Sequence, residues 1–242
     1  MSSELYSNYI DRTPHPRNEK FISRWHGRLL SLAVNEMARP ARVLEVGPGH
    51  GYFAEACRKS GIEYRYCDTS PPVHRKMSEL GFEGYLGFLH DLPPETRGFD
   101  LIWMSHVLEH SPTWNDARGM MDAARARLNV GGAVVVISPD VLTWRREFRN
   151  VDKSHGYPTS IRNVAQLMSD VGLVDIVAKH HRNGSFSLLT RAVFAVISLP
   201  PHRMLDRLMT PSRYRIGDGM VYSWKAVLGW RQIFLIARKS DY

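Results

Sequence analysis

Residues Ala133-Val-Val-Val-Ile137 are apolar without a break. A strand with one wet face alternates apolar and polar side chains. An unbroken run therefore predicts a strand covered on both faces, the habit of parallel sheets. The rest of the chain agrees. Short β-type runs at 42–46, 63–67, 83–86, 100–104, 173–180 and 232–237 alternate with helical stripes. Phe21, Trp25, Leu29, Ala33 and Met37 recur at helical spacing, and Pro40 ends that helix. Helices are also expected over 50–60, 70–80, 113–128 and 159–171. Gly131-Gly132 reads as the turn into the 133–137 strand. Repeated strand–helix units imply an α/β fold, a Rossmann-like, doubly wound, mostly parallel sheet with helices on both faces. Ligands of such sheets sit at the carboxyl ends of the strands. The residues just after each strand are therefore the ones that carry function.

The chain has 242 residues. That length suits a domain at 39–242, preceded by an arm and helix at 1–38 that would cap a substrate. Its two cysteines, Cys57 and Cys67, exclude a disulfide scaffold and suit a reducing, cytoplasmic setting. Lys and Arg number 32 against 24 for Asp and Glu, a net charge of +8 that favours anionic partners. The first twenty residues lack an apolar core of the secretory kind. The most apolar stretch, 186–199, contains Arg191 and is too short to span a bilayer, which takes about 20 residues. It belongs to an insertion, 182–230, between the last two strands. Three readings fit that insertion: a lid, a peripheral membrane contact through 186–210, and a homodimer contact.

After the first strand comes Glu45-Val-Gly47-Pro-Gly49-His-Gly51. Glycines there let the backbone turn sharply and approach a ligand. A dinucleotide loop carries a third glycine one place later, where Tyr52 stands, and binds a pyrophosphate. Glu45 at the strand end would repel a pyrophosphate and attract a cation. S-adenosylmethionine bears an ammonium and a sulfonium and no phosphate. Asp68 lies 23 residues after Glu45, at the end of the second strand. It can accept hydrogen bonds from a ribose, or cap the helix that Ser70-Pro71 starts.

These residues, together with CDTSPP (67–72), FDLIWMSHVLEH (99–110), RLNVGGAVVVISPD (127–140) and DKSHGYPTS (152–160), resemble the class I S-adenosylmethionine-dependent methyltransferases, small-molecule subgroup. The likeness runs from about 41 to 172. It implies a seven-stranded sheet whose last strand, 232–237, is antiparallel. It also implies that Glu45, Gly47, Pro48 and Gly49 hold the methionine end and that Asp68 and Thr69 hold the ribose. Phe88 and Leu89 would flank the adenine, and Met104 and Ser105 would line the pocket. Many relatives carry an acid where Phe88 stands; a stacking ring, or His90 and Asp91, would take over its contact with the base.

Ser105-His-Val-Leu-Glu109-His110 follows the fourth strand. On a helical turn His106, Glu109 and His110 share one face. His-x-x-Glu-His is also a zinc-protease signature, but that needs a long helix and a distant third ligand. Quinone-pathway O-methyltransferases carry Glu-x-x-Glu-His here and bind a divalent metal; this chain has His106 in place of the first acid. The plain reading is that Glu109 and His110 brace the turn, and no metal is assigned. Transfer to oxygen or nitrogen calls for a base near neutral pKa. His106, His155 and His110 are the catalytic candidates. The acceptor is expected to be a small molecule, a saccharide or lipid-linked glycan. The Asp/Asn-Pro-Pro-aromatic signature of base-amino methylation is absent after the fourth strand, so nucleic acid is not an expected partner. The acceptor would be framed by Tyr6, Tyr9, His15, Trp25 and His26 from the arm, and by Trp144, Arg145, Arg146 and Arg149 from the loop 140–157.

Overall fold

The computed structural model describes residues 19–145, 147–150, 152–182 and 231–241. The arm residues Tyr6, Tyr9 and His15, Arg146, and the insertion from 183 to 230 lie outside them, and with them the stretch 186–210.

Helix α1 (Glu19–Glu36) precedes strand β1 (Arg42–Val46). Then come α2 (Tyr52–Lys59), β2 (Glu63–Asp68), α3 (Pro71–Glu79), β3 (Gly84–Leu86), β4 (Phe99–Ser105), α4 (Trp114–Arg127) and β5 (Leu128–Pro139). The short helices α5 (Val141–Trp144) and α6 (Glu147–Asn150) lead to α7 (Ile161–Asp170), β6 (Leu173–Arg182) and β7 (Arg231–Lys239). The seven strands form one sheet in the order β3-β2-β1-β4-β5-β7-β6. Strands β1 to β5 pair in parallel, and β7 runs antiparallel between β5 and β6. The expected topology is the observed one.

Local chemistry explains the boundaries. Thr113 caps α4 in a reciprocal capping box with Asp116. Ser70 caps α3 with Pro71 in its first turn. Ser160 caps α7 by accepting from the Asn163 amide at 3.2 Å. Two expectations change. Gly131-Gly132 is not a turn outside the sheet: β5 begins at Leu128, which pairs with Phe99, and the register resumes at Ala133 opposite Leu101. The extra residues bulge out, with Gly131 at φ +74°. The segment 140–157 is not simply loop, since it contains α5 and α6. Trp144 there donates its indole N–H to the Arg231 carbonyl at 3.0 Å and so ties α5 to β7.

The sheet is sandwiched between two apolar layers. Leu44, Ile102, Val134, Val136 and Leu235 face α4 and α7. Val43, Leu101, Trp103, Val135 and Ile236 face α1, α2 and α3, with Phe53 stacked on Trp103 at 4.1 Å. Ala133 to Ile137 is fully covered, as its composition demands. No helix among the described residues is long and apolar enough to cross a membrane.

Candidate active site

The carboxyl ends of β1, β2 and β4 lie side by side, so the loops that follow them converge. Gly47, Gly49 and Gly51 all adopt left-handed conformations, at φ +69°, +53° and +80°. A Cβ on Gly47 would sit 2.8 Å from Val107 Cγ2. The glycine loop therefore packs against the turn after β4, and a side chain would pry them apart.

Two acids stand at the strand ends. Glu45 is buried, and the Tyr64 hydroxyl donates to its carboxylate. Burial pushes its pKa up to about 8; the Tyr64 hydrogen bond opposes that rise and the nearby Asp68 adds to it. Asp68 is raised to about 6, again by burial first, while main-chain N–H groups of Ser70 and Thr69 hold it down. The Ser70 amide is 2.7 Å from Asp68 Oδ1. Ser70, and not Asp68, caps α3, so capping does not consume the Asp68 carboxyl. Among the described residues no Lys or Arg pairs with either acid. One buried and one half-buried acid, both raised by desolvation, make a place for a cation and for hydrogen-bond donors.

The remaining cofactor candidates divide. Pro48 is buried in the loop and accepts from the Gly51 amide at 2.9 Å, which closes the turn. Thr69 and Ser105 are half-buried at their strand tips. Phe88 is half-buried and stacks on His90, with ring centroids 5.2 Å apart. The side chains of Leu89 and Met104 point into the core, so only their main chains remain for a ligand.

The histidines also separate. His106 is at φ +57°, a strained conformation for a residue with a side chain, at the tip of β4. Its ring is partly exposed. Nδ1 lies 3.2 Å from Glu109 Oε1 and Nε2 lies 2.8 Å from the Gln232 amide nitrogen. Both ring nitrogens are thus engaged. His155 is buried and donates from Nδ1 to the Phe148 carbonyl. His110 Nδ1 is 2.7 Å from Ser154 Oγ, and its ring is 4.9 Å from that of His155. Burial lowers the His110 pKa against the pull of Glu109. Residues 108–110 form a single 3-10 turn, too tight to put His106, Glu109 and His110 on one helical face. His110 turns toward the 152–157 loop instead.

Helix α1 supplies what the strands do not. His26 is half-buried, and its buried Nδ1 has no hydrogen-bond partner among the described residues. Its ring packs edge-on to Trp25 at 4.9 Å and stacks over Tyr52 at 6.0 Å. Burial, helped by His106, lowers its pKa to about 4. The imidazole is therefore neutral at physiological pH. Trp25 donates to His181 Nε2 at 2.9 Å. Tyr64, Tyr52 and Gln232 were not legible as site residues. Each is ordinary in sequence and is brought to the site only by strand register or helix packing.

A methyltransferase-domain family model matches residues 17–178. The chain belongs to that family, and it is an S-adenosylmethionine-dependent methyltransferase of class I. Solved structures share the fold. An S-adenosylmethionine-dependent methyltransferase from Archaeoglobus fulgidus matches with a TM-score of 0.62 and 19% identity, over 92% of this chain and 97% of that one. The N-methyltransferase NodS from Bradyrhizobium japonicum, solved with S-adenosylhomocysteine, matches with a TM-score of 0.64 and 16% identity, over 98% of this chain and all of that one (100%). No curated protein matches the chain. The residues present fit the cofactor: acids lacking Lys or Arg partners flank a left-handed glycine loop where a cationic methionine end and a ribose would lie.

Proposed function

We propose that this methyltransferase acts on an oxygen or nitrogen atom of a small, hydroxyl-rich acceptor of the saccharide class. The observation that carries this reading is the group of aromatic, imidazole and amide side chains gathered at His26 and His106. Trp25 and His26 from α1 meet Tyr52 of α2 there, and His106 with Gln232 borders it. An aromatic face together with imidazole and amide hydrogen-bonding groups suits a sugar ring and its hydroxyls. The protein's own helix α1 supplies Trp25 and His26 to this group, which favours a small acceptor over a polymer.

The bound cofactor supplies a methyl group on a positive sulfur, ready for in-line displacement. The protein's task is then mostly positioning. Glu45 and the loop Gly47–Gly49 hold the cationic end, and Asp68 holds the ribose. His26, neutral, orients the acceptor by a hydrogen bond with a hydroxyl next to the reacting one, which leaves the reacting group's own proton for His106. His106 takes the proton that leaves as the new bond to carbon forms, once its Nε2 exchanges Gln232 for the acceptor. Glu109, facing Nδ1 of that ring, stabilises the imidazolium that results.

The test is incubation with methyl-labelled cofactor and fractionated cell extract, followed by separation of polar metabolites, saccharides, lipids, protein and nucleic acid. Label in the saccharide or glycolipid fraction, reduced at least about tenfold by His26→Phe, is the expected result. Label confined to protein or nucleic acid would overturn it.

A further inference from the structure

We propose that Gln232 selects the acceptor: its side-chain amide grips a vicinal diol, so the methylated atom is the oxygen of a hydroxyl that has a second hydroxyl beside it. The inference rests on the acceptor reading above, with His106 as the base, and narrows oxygen or nitrogen to oxygen.

Gln232 stands where β7 calls for an apolar residue. It shares a face with Phe234 and Ile236, which belong to the apolar layer under α1, α2 and α3. It is only 2% exposed. In register it lies between Pro139 of β5 and His181 of β6, and His181 accepts the Trp25 indole N–H at 2.9 Å. Gln232 Oε1 is buried and has no hydrogen-bond partner among the described residues. A buried carbonyl oxygen left unpaired is costly, and folded interiors pair such atoms. The missing donor is one that a bound acceptor supplies.

Chemistry fixes which end of the amide faces His106. Burial works against charge on Glu109, but the hydrogen bond and electrostatic pull of His106, with the pull of His110, hold its carboxyl below the usual carboxylate range. A carboxylate only accepts, so His106 Nδ1, 3.2 Å from Glu109 Oε1, carries the ring proton. The neutral ring then has a lone pair on Nε2. Of the two ends of the Gln232 amide only the nitrogen donates to it, at 2.8 Å. One planar group thus sets a donor beside the base and holds an unpartnered acceptor next to that donor.

These atoms match a vicinal diol. A hydroxyl oxygen carries one proton and two lone pairs. Its proton points to His106 Nε2, and one lone pair attacks the methyl carbon. The other lone pair accepts the N–H that Gln232 moves over from His106. The neighbouring hydroxyl donates to Gln232 Oε1. An amine nitrogen has a single lone pair and cannot both attack and accept. In the step, the hydroxyl oxygen gains the methyl carbon, whose bond to sulfur breaks with its electron pair, and gives its proton to His106 Nε2. The Gln232 N–H steadies the charge that gathers on the oxygen as the proton leaves. The base is anchored for this exchange, since the His106 amide donates to the Ile137 carbonyl of β5 at 2.8 Å.

The test gives full-length protein methyl-labelled cofactor and the saccharide fraction of cell extract, and locates the methyl group by fragmentation mass spectrometry. A methyl ether whose neighbouring carbon carries a free hydroxyl is the expected product. Gln232→Met has a similar length and removes both hydrogen-bonding groups. It should lower the labelling rate in the diluted fraction at least about tenfold, with calorimetric cofactor affinity and the far-ultraviolet circular dichroism spectrum unchanged. Gln232→Glu, which loses the N–H, is the second variant should the first misfold. Methyl on a saccharide nitrogen, methyl on a hydroxyl with no hydroxyl beside it, or a rate unchanged in the folded variants overturns this inference and leaves the saccharide reading standing. Label confined to protein or nucleic acid overturns both.

Discussion

Glu45→Gln should stabilise the cofactor-free protein, and by more as the pH rises. The carboxyl has a pKa of about 8 in the fold against an ordinary value of 4.5. The folded state therefore binds this proton more tightly than the unfolded state does. Its contribution to stability is complete below about pH 4.5 and is lost as pH rises through about 8. Each pH unit inside that window costs the folded state about 1.4 kcal/mol. From about pH 6 to pH 7.5 the wild type should lose about 2 kcal/mol relative to the variant. Glutamine has the shape of the neutral acid and still accepts from the Tyr64 hydroxyl, so packing is kept. In a chain of this size the melting-temperature gap should widen by about 4–8 °C across that interval. Calorimetric melts of both proteins in matched buffers measure it. Parallel curves would refute the reasoning, because they would mean that Glu45 is already ionised and solvated or paired in the fold. Cofactor binding is the second readout: a sulfonium and an ammonium beside Glu45 pull its pKa down, so binding near pH 7 should release a proton. Calorimetry in buffers of different ionisation heat detects that release.

Other substitutions separate the site from its scaffold. Asp68→Ala should abolish calorimetric cofactor binding while shifting the melting temperature little, since Asp68 caps no helix. Gly49→Val should also abolish binding, by forcing a β-branched residue to φ +53° in the loop. Gly156→Ala should cost at least about 2 kcal/mol in denaturant melts, because its Cβ would lie 2.4 Å from the Ser111 carbonyl oxygen, a backbone atom that cannot swing aside. Thr113→Ala should cost about 1 kcal/mol through loss of the α4 capping box, with cofactor affinity unchanged.

Particular residues show how far the linear pattern reaches. Glu45, the glycines and Asp68 were legible because strand, loop and helix are adjacent in the chain, and each residue's place follows from its distance to a strand end. His106 was legible as a strand-tip residue for the same reason. Its engagement was not: Gln232 reaches it from β7, 126 residues away. The turning of His110 away from His106, toward Ser154, depended on a 3-10 turn in place of a full helix, and periodicity does not separate the two over three residues. The bulge at Gly131 reads as a turn for a similar reason, since a left-handed glycine serves both. Tyr64 alternates in β2 as any inward residue would. Only its placement next to β1 sets it on the face of Glu45.

What the sequence by itself determined is the layered α/β sheet, the family, and the loops where a ligand must bind. Those depend on periods and spacings of a few residues, which local geometry imposes on any chain. Tertiary structure alone decided which acids are buried without a cation, which imidazoles stay neutral, and that a histidine of the 152–157 loop closes a cluster begun after β4. Those depend on distances through space and on exclusion of water, and both arise only when distant segments pack.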